Sequence, residues 1–167
     1  MLASNPLAQT FAAIWTLLEA NEEFVNLVPS ACRIKYDGEQ VYQDLDQQTE
    51  GEPIRVSVMC AGIDPHLQNT SSGSAMDLLW EIEIRTVDQG MLNLFKVLFA
   101  VYRAMLKWDT YMRDDLEWND EYFCWDTTPG KVKVQLGDKD QEIRGWIAKW
   151  IGVARMEFQT SALEEDE

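Results

Sequence analysis

Between Asp77 and Trp108 the chain reads DLLWEIEIRTVDQGMLNLFKVLFAVYRAMLKW, and this run constrains the fold more than any other. Trp80, Ile82, Ile84 and Thr86 alternate with Glu81, Glu83 and Arg85, the period of a strand with one buried face. Asp88-Gln89-Gly90 supplies a tight turn. After it, Leu94, Leu98, Val101 and Met105 recur at three- and four-residue spacing, as do Met91, Phe95, Phe99 and Tyr102. The pattern predicts a helix buried on most of its girth, with Lys96, Arg103 and Lys107 on the wet side and their stems along neighbouring carbons. A membrane span is rejected: a central Lys or Arg costs about 2.5–3.5 kcal/mol, and the run is shorter than the ~20 clean apolar residues a span prefers. Strand, turn and long apolar helix imply a helix packed back on its own sheet.

The flanking sequence adds elements of the same kinds. Asn5 or Ser4 is placed to cap a first helix with Pro6 at its first position. That helix runs through LAQTFAAIWTLLEANEEFVNLV with Leu7, Phe11, Ile14 and Leu18 on one stripe and Trp15 flanking it, and Pro29 ends it. CRIKY reads as a short strand, and Asp37-Gly38 as a turn. The acidic stretch Glu39–Glu52 reads as a loop. Pro53 opens IRVSVMC, where Ile54, Val56 and Val58 alternate with Arg55, Ser57 and Met59. The following AGIDPHLQNTSSGSAM is long for a turn, so it is either a mobile loop or an extended hairpin arm. Asp109–Asp126 is charged and aromatic and reads as an insertion with its own short turn of helix. KVKVQL after Pro129-Gly130 and GWIAKWIGVARMEFQT form a terminal strand pair, in which Ala154, Met156 and Phe158 alternate with Arg155, Glu157 and Gln159. The tail 161–167 is acidic and frays. The expectation is one domain over residues 1–167, of α+β class, with a mostly antiparallel sheet flanked by two main helices.

Charge narrows the function. The chain has 29 acidic and 14 basic side chains, a net charge of −15. A duplex-gripping protein needs a basic face to release counterions, and an anionic membrane surface needs the same, so both are poor partners. An acidic wall near DNA would repel it without trapping it. Cys32, Cys60 and Cys124 are odd in number and far apart, with neither a disulfide framework nor a zinc spacing. They read as reduced thiols of a protein folded in cytoplasm, and the N-terminus lacks a signal-peptide pattern.

Catalytic and metal readings find little. Neither GxxxxGK[ST], GxGxxG nor GxSxG occurs. The single histidine, His66, stands beside Asp64 and Pro65 with no nucleophile near in sequence, and reads as a solvated loop residue. Asp44/Asp46, Asp114/Asp115 and Asp138/Asp140 lack a calcium-loop frame and read as solvated surface. No catalytic, cofactor or metal residue is assigned. Glu81 and Glu83 share the outward strand face, where like charges repel. Either that face is wet, or cations such as Lys133 or Arg155 sit opposite. Trp108, Trp118, Trp125, Trp146 and Trp150 are either core fillers or interface anchors.

The order of elements resembles a known family. NPLAQTFAAIWTLLEANEEF, EPIRVSVMC, DLLWEIEIRTVDQ with its long helix, and GWIAKWIGVARMEFQT follow one another as in the tail terminator (tail-completion) proteins of long-tailed bacteriophages and gene-transfer agents. The likeness covers most of the chain by element order. Asp109–Asp126 and Glu39–Glu52 are longer than the family pattern. The resemblance implies a virion protein, assembled in host cytoplasm, that forms a ring, usually of six copies, on the head-proximal end of the tail tube. There it stops tube growth and meets the head-closure or connector protein, while DNA passes the lumen without specific binding. It implies no enzyme, cofactor or membrane. On this reading the arm residues Gly62, Ile63, Asp64, His66, Leu67, Asn69 and Ser72 are candidates for the subunit interface, and Glu81, Glu83 and Glu157 for a lumen or wet sheet face. Trp118, Tyr122 and Trp125 are candidate partner contacts. The competing readings are another neck ring, such as a head-closure or tube-like protein, and a monomeric acidic binding module.

Overall fold

The structure, a computed structural model, describes residues 6–35, 54–70, 73–87, 91–111, 122–136 and 145–158. Glu39–Glu52, Asp37-Gly38, the cap at Ser4 or Asn5 and the tail 161–167 lie outside the described residues.

The first helical region is two helices. α1 (Pro6–Glu19) stops short, and α2 (Glu22–Leu27) restarts after Asn21. The single helix expected here is corrected by that residue: Asn21 has extended backbone angles, and its side chain accepts from the Phe24 N–H at 2.9 Å. Asn in this role offers the chain an alternative to a continuing helix. Glu22 and Glu23 in the first turn favour the restart through the helix dipole. The break lets Phe24 and Val28 join Ile14 and Leu18 in the core, all four fully buried. Arg33 then donates to the Val28 carbonyl through Nε at 3.0 Å and Nη2 at 2.8 Å, satisfying an acceptor just past the end of α2.

The strands are β1 (Arg33–Lys35), β2 (Ile54–Thr70), β3 (Gly73–Thr86), β4 (Tyr122–Leu136) and β5 (Trp146–Phe158). They form one sheet in the order β1-β2-β3-β5-β4, with β1 parallel to β2 and the remaining pairs antiparallel. The α+β class with a mostly antiparallel sheet is as expected. Of the two readings of residues 61–76, the hairpin arm is the one observed: β2 and β3 stay paired from Ile54↔Thr86 to His66↔Ala75, and again at Thr70↔Gly73. Two boundaries move. Tyr122–Asp126, expected inside an insertion, opens β4. Pro129-Gly130 lies inside that strand, at a register shift before Val132, and not ahead of it. β4 is an edge strand, where a missing Pro N–H breaks no ladder.

α3 (Leu92–Met105) crosses the sheet and is followed by one helical turn, α4 (Trp108–Thr110). Beneath α3 lie Trp80, Ile82 and Ile84 of β3, at 1% exposure or less. Their partners on the same face are Val56 and Val58 of β2 and Ala148, Trp150 and Gly152 of β5. Trp80 and Trp150 meet edge to face, with ring centroids 5.5 Å apart. Gly152 makes this possible: a Cβ there would sit 2.0 Å from Trp80 Cζ2. Each such buried side chain contributes roughly 1.5–3 kcal/mol.

Candidate functional site

α3 is apolar on two sides, and the sheet covers one. Leu94, Val97, Ala100, Val101, Ala104 and Met105 face inward and are buried. Leu92, Phe95, Phe99, Tyr102 and Leu106 form a second stripe, between 47% and 65% exposed. Burial on most of the girth therefore fails for Phe95, Phe99 and Tyr102: Leu94, Val97, Val101 and Met105 face the sheet, and the aromatics lie on the far side. Phe99 and Tyr102 stack at 6.4 Å, and the Arg103 guanidinium lies 5.9 Å from the Phe99 centroid.

This stripe continues onto the sheet. Tyr102 lies 6.3 Å from Trp150. Trp150 pairs with Val132, Ala148 with Val134 and Trp146 with Leu136. Directly opposed residues of antiparallel strands share a face, so these three β4 side chains extend the helix-side surface. They are 37%, 39% and 62% exposed. The Trp150 indole N–H donates to the Gly130 carbonyl at 2.9 Å, fixing the ring at the step between α3 and β4. Lys96, Arg103 and Lys107 flank the stripe on its other side. With Asn21, Glu22 and Glu23 they line an open groove of about 590 Å³ between α2 and α3, where Arg103 and Glu23 are 3.5 Å apart.

The arm begins at a bulge. Cys60 pairs with Trp80 and Gly62 with Leu79, so Ala61 has no partner opposite. Before it, even-numbered residues such as Val56 and Val58 sit on the helix side. After it, odd-numbered ones do, since Ile63 pairs with Leu78 and Pro65 with Met76. Ile63 thus keeps to the apolar face, at 47% exposure, with Asp64 exposed beside it. Among the described residues β1 pairs only as far as Val58, which puts Pro65 at the sheet edge, where proline is tolerated. His66 is a strand position opposite Ala75 and not a loop residue. Leu67 and Asn69 lie on β2 with side chains outside the described set, and Ser72 lies wholly outside it.

The opposite face of the sheet is charged but, around Glu83, dry. Glu83 and Arg55 are 6% and 4% exposed. Arg85 Nε donates to Glu83 Oε1, Lys149 Nζ lies 3.4 Å from Oε2, and Arg55 Nη2 lies 4.0 Å from Oε1. Lys149 also reaches Glu81 at 3.9 Å. A wet face is therefore corrected for Glu83. The alternative of opposing cations holds, with Lys149, Arg85 and Arg55 around Glu83 in place of Lys133 or Arg155. The cause is register: β5 places Lys149 directly opposite Glu83 and Arg155 opposite Asp77. Arg155 grips Asp77 through Nε at 2.9 Å and Nη2 at 3.2 Å. Glu157 is a β5 position opposite Ala75, its side chain outside the described set.

Of the aromatic candidates, Trp108 and Trp150 belong to the core. Trp118 and the side chains of Tyr122 and Trp125 fall outside the described residues. Cys32 is buried and Cys60 exposed. Among the described residues no three of His, Cys, Asp and Glu gather as a metal site, and no helix is long and apolar enough to cross a membrane.

No protein-family model matches the chain, and neither does any curated protein sequence. Among solved structures it is similar to a chain of the virion of a native gene transfer agent particle. The TM-score is 0.64 at 17% identity, over 92% of this chain and 99% of the other. At that identity the likeness is one of fold, and it spans both chains almost end to end.

Proposed function

We propose that this chain is a non-enzymatic structural protein of a phage-like virion. It forms a ring, of six copies, on the head-proximal end of the tail tube, stops tube growth there and presents a surface to the head connector. The observation that carries this reading is the fold shared along nearly the full length of a gene-transfer-agent virion chain. Its physical support is twofold. A net charge of −15 per copy suits a ring that DNA passes through without sticking. A continuous exposed apolar strip and a long hairpin whose outer strand lies at the sheet edge suit a subunit that contacts others.

Electron microscopy of particles from a producing strain with this gene disrupted tests it. Overlong, headless tails are the expected result. Tails of normal length with leaking or unattached heads would reassign the chain to another neck ring. Normal, intact particles would remove it from the virion altogether.

A further inference from the structure

We propose that the strip formed by α3 and β4 is the seat of the β2–β3 hairpin of a second copy of this chain, docked head to tail. The inference rests on the ring reading above and names the surfaces that would build it. The strip comprises Leu92, Phe95, Phe99, Tyr102 and Leu106 on α3 and Val132, Val134 and Leu136 on β4, all exposed. Aromatic side chains bury 150–250 Å² each, so side chains about half exposed leave on the order of 800 Å² available in total. That is one partner's share of a standard interface, and it exceeds the largest apolar patch of an ordinary monomer.

Sheet order selects the mode of docking. In β1-β2-β3-β5-β4 the strip borders the β4 edge, while the part of β2 beyond Val58, which pairs with no other strand than β3 among the described residues, lies at the opposite edge. Complementary patches on opposite sides of one subunit join head to tail, which closes into a ring under rotation. The two patches also match chemically. Lys96, Arg103 and Lys107 flank the strip, in a chain with twice as many acids as bases. The hairpin offers Ile63 and Pro65, both exposed and both on its apolar face. Ile63 and Pro65 would meet the apolar strip, while the flanking cations, with Arg103 3.5 Å from Glu23 of its own subunit, keep to its rim.

The test is photo-crosslinking in assembling particles. Full-length chain carries p-benzoylphenylalanine at position 99 or, as a control on the outward side of α1, at position 16, and virions are purified before digestion and mass spectrometry. The expected result is a covalent dimer of this chain from position 99 alone, with the second peptide drawn from residues 54–86. A crosslink to another virion protein, a crosslink elsewhere on this chain, or none in particles that contain the chain overturns the proposal and leaves the ring reading standing. Absence of the unmodified chain from purified virions overturns both.

Discussion

The two sides of α3 are built from the same kind of residue and meet different fates. Leu94, Val97, Val101 and Met105 are at most 7% exposed, while Leu92, Phe95, Phe99 and Leu106 are at least half exposed. The outer side carries the larger side chains. Small residues, Ala100 and Ala104, sit on the inner side, which packs on α1, α2 and the sheet. Apolarity is thus shared by both sides, and size and exposure tell them apart. A helix can be amphipathic toward its own core and still hold a second apolar stripe in reserve.

This contrast can be broken by substitution, and the largest effect is expected inside. Leu94→Ala should destabilise the chain by about 2–5 kcal/mol through lost burial and a residual cavity, read as a lower urea midpoint. A cost below about 1 kcal/mol would mean that α3 does not anchor on the sheet. Asn21→Ala should cost about 1 kcal/mol, because the Phe24 N–H loses its acceptor and α2, which borders the cationic side of α3, starts less firmly. Its urea midpoint should fall correspondingly less. Phe99→Ser should change monomer stability by under about 1 kcal/mol, as for other exposed positions, while abolishing the gene's ability to restore normal tails in a disrupted strain. Loss of stability comparable to that of Leu94→Ala would place Phe99 in the core and erase the contrast.

Much of the architecture was legible because its signals are local. The alternation of Trp80, Ile82 and Ile84 with Glu81 and Glu83 needs no tertiary knowledge, nor does the apolar periodicity of α3, while the turn expected at Asp88-Gln89-Gly90 lies outside the described residues. Features decided by competition were harder to read. Asn21 sits inside a helical pattern and wins through one side-chain hydrogen bond. Pro129-Gly130 has the composition of a turn, yet at the outer edge of a sheet it is accommodated as an irregularity. Which cation faces Glu83 depends on the β3–β5 register, which composition does not encode. The outer stripe of α3 was visible as apolar periodicity, but periodicity does not say what covers a face, so Phe95, Phe99 and Tyr102 read as core.

Ala61 gives the hairpin an unusual kind of fragility. Because it alone stands unpaired between Cys60 and Gly62, it acts as a phase marker for the strand beyond it. Drawing Ala61 into the ladder opposite Leu79 would leave the composition of the arm untouched. It would nevertheless exchange the two sides of Ile63, Asp64 and Pro65, turning the isoleucine toward the charged surface and the aspartate toward the apolar one. The chemistry that a neighbouring molecule meets on this arm is therefore set by one residue kept out of the ladder as much as by the residues within it.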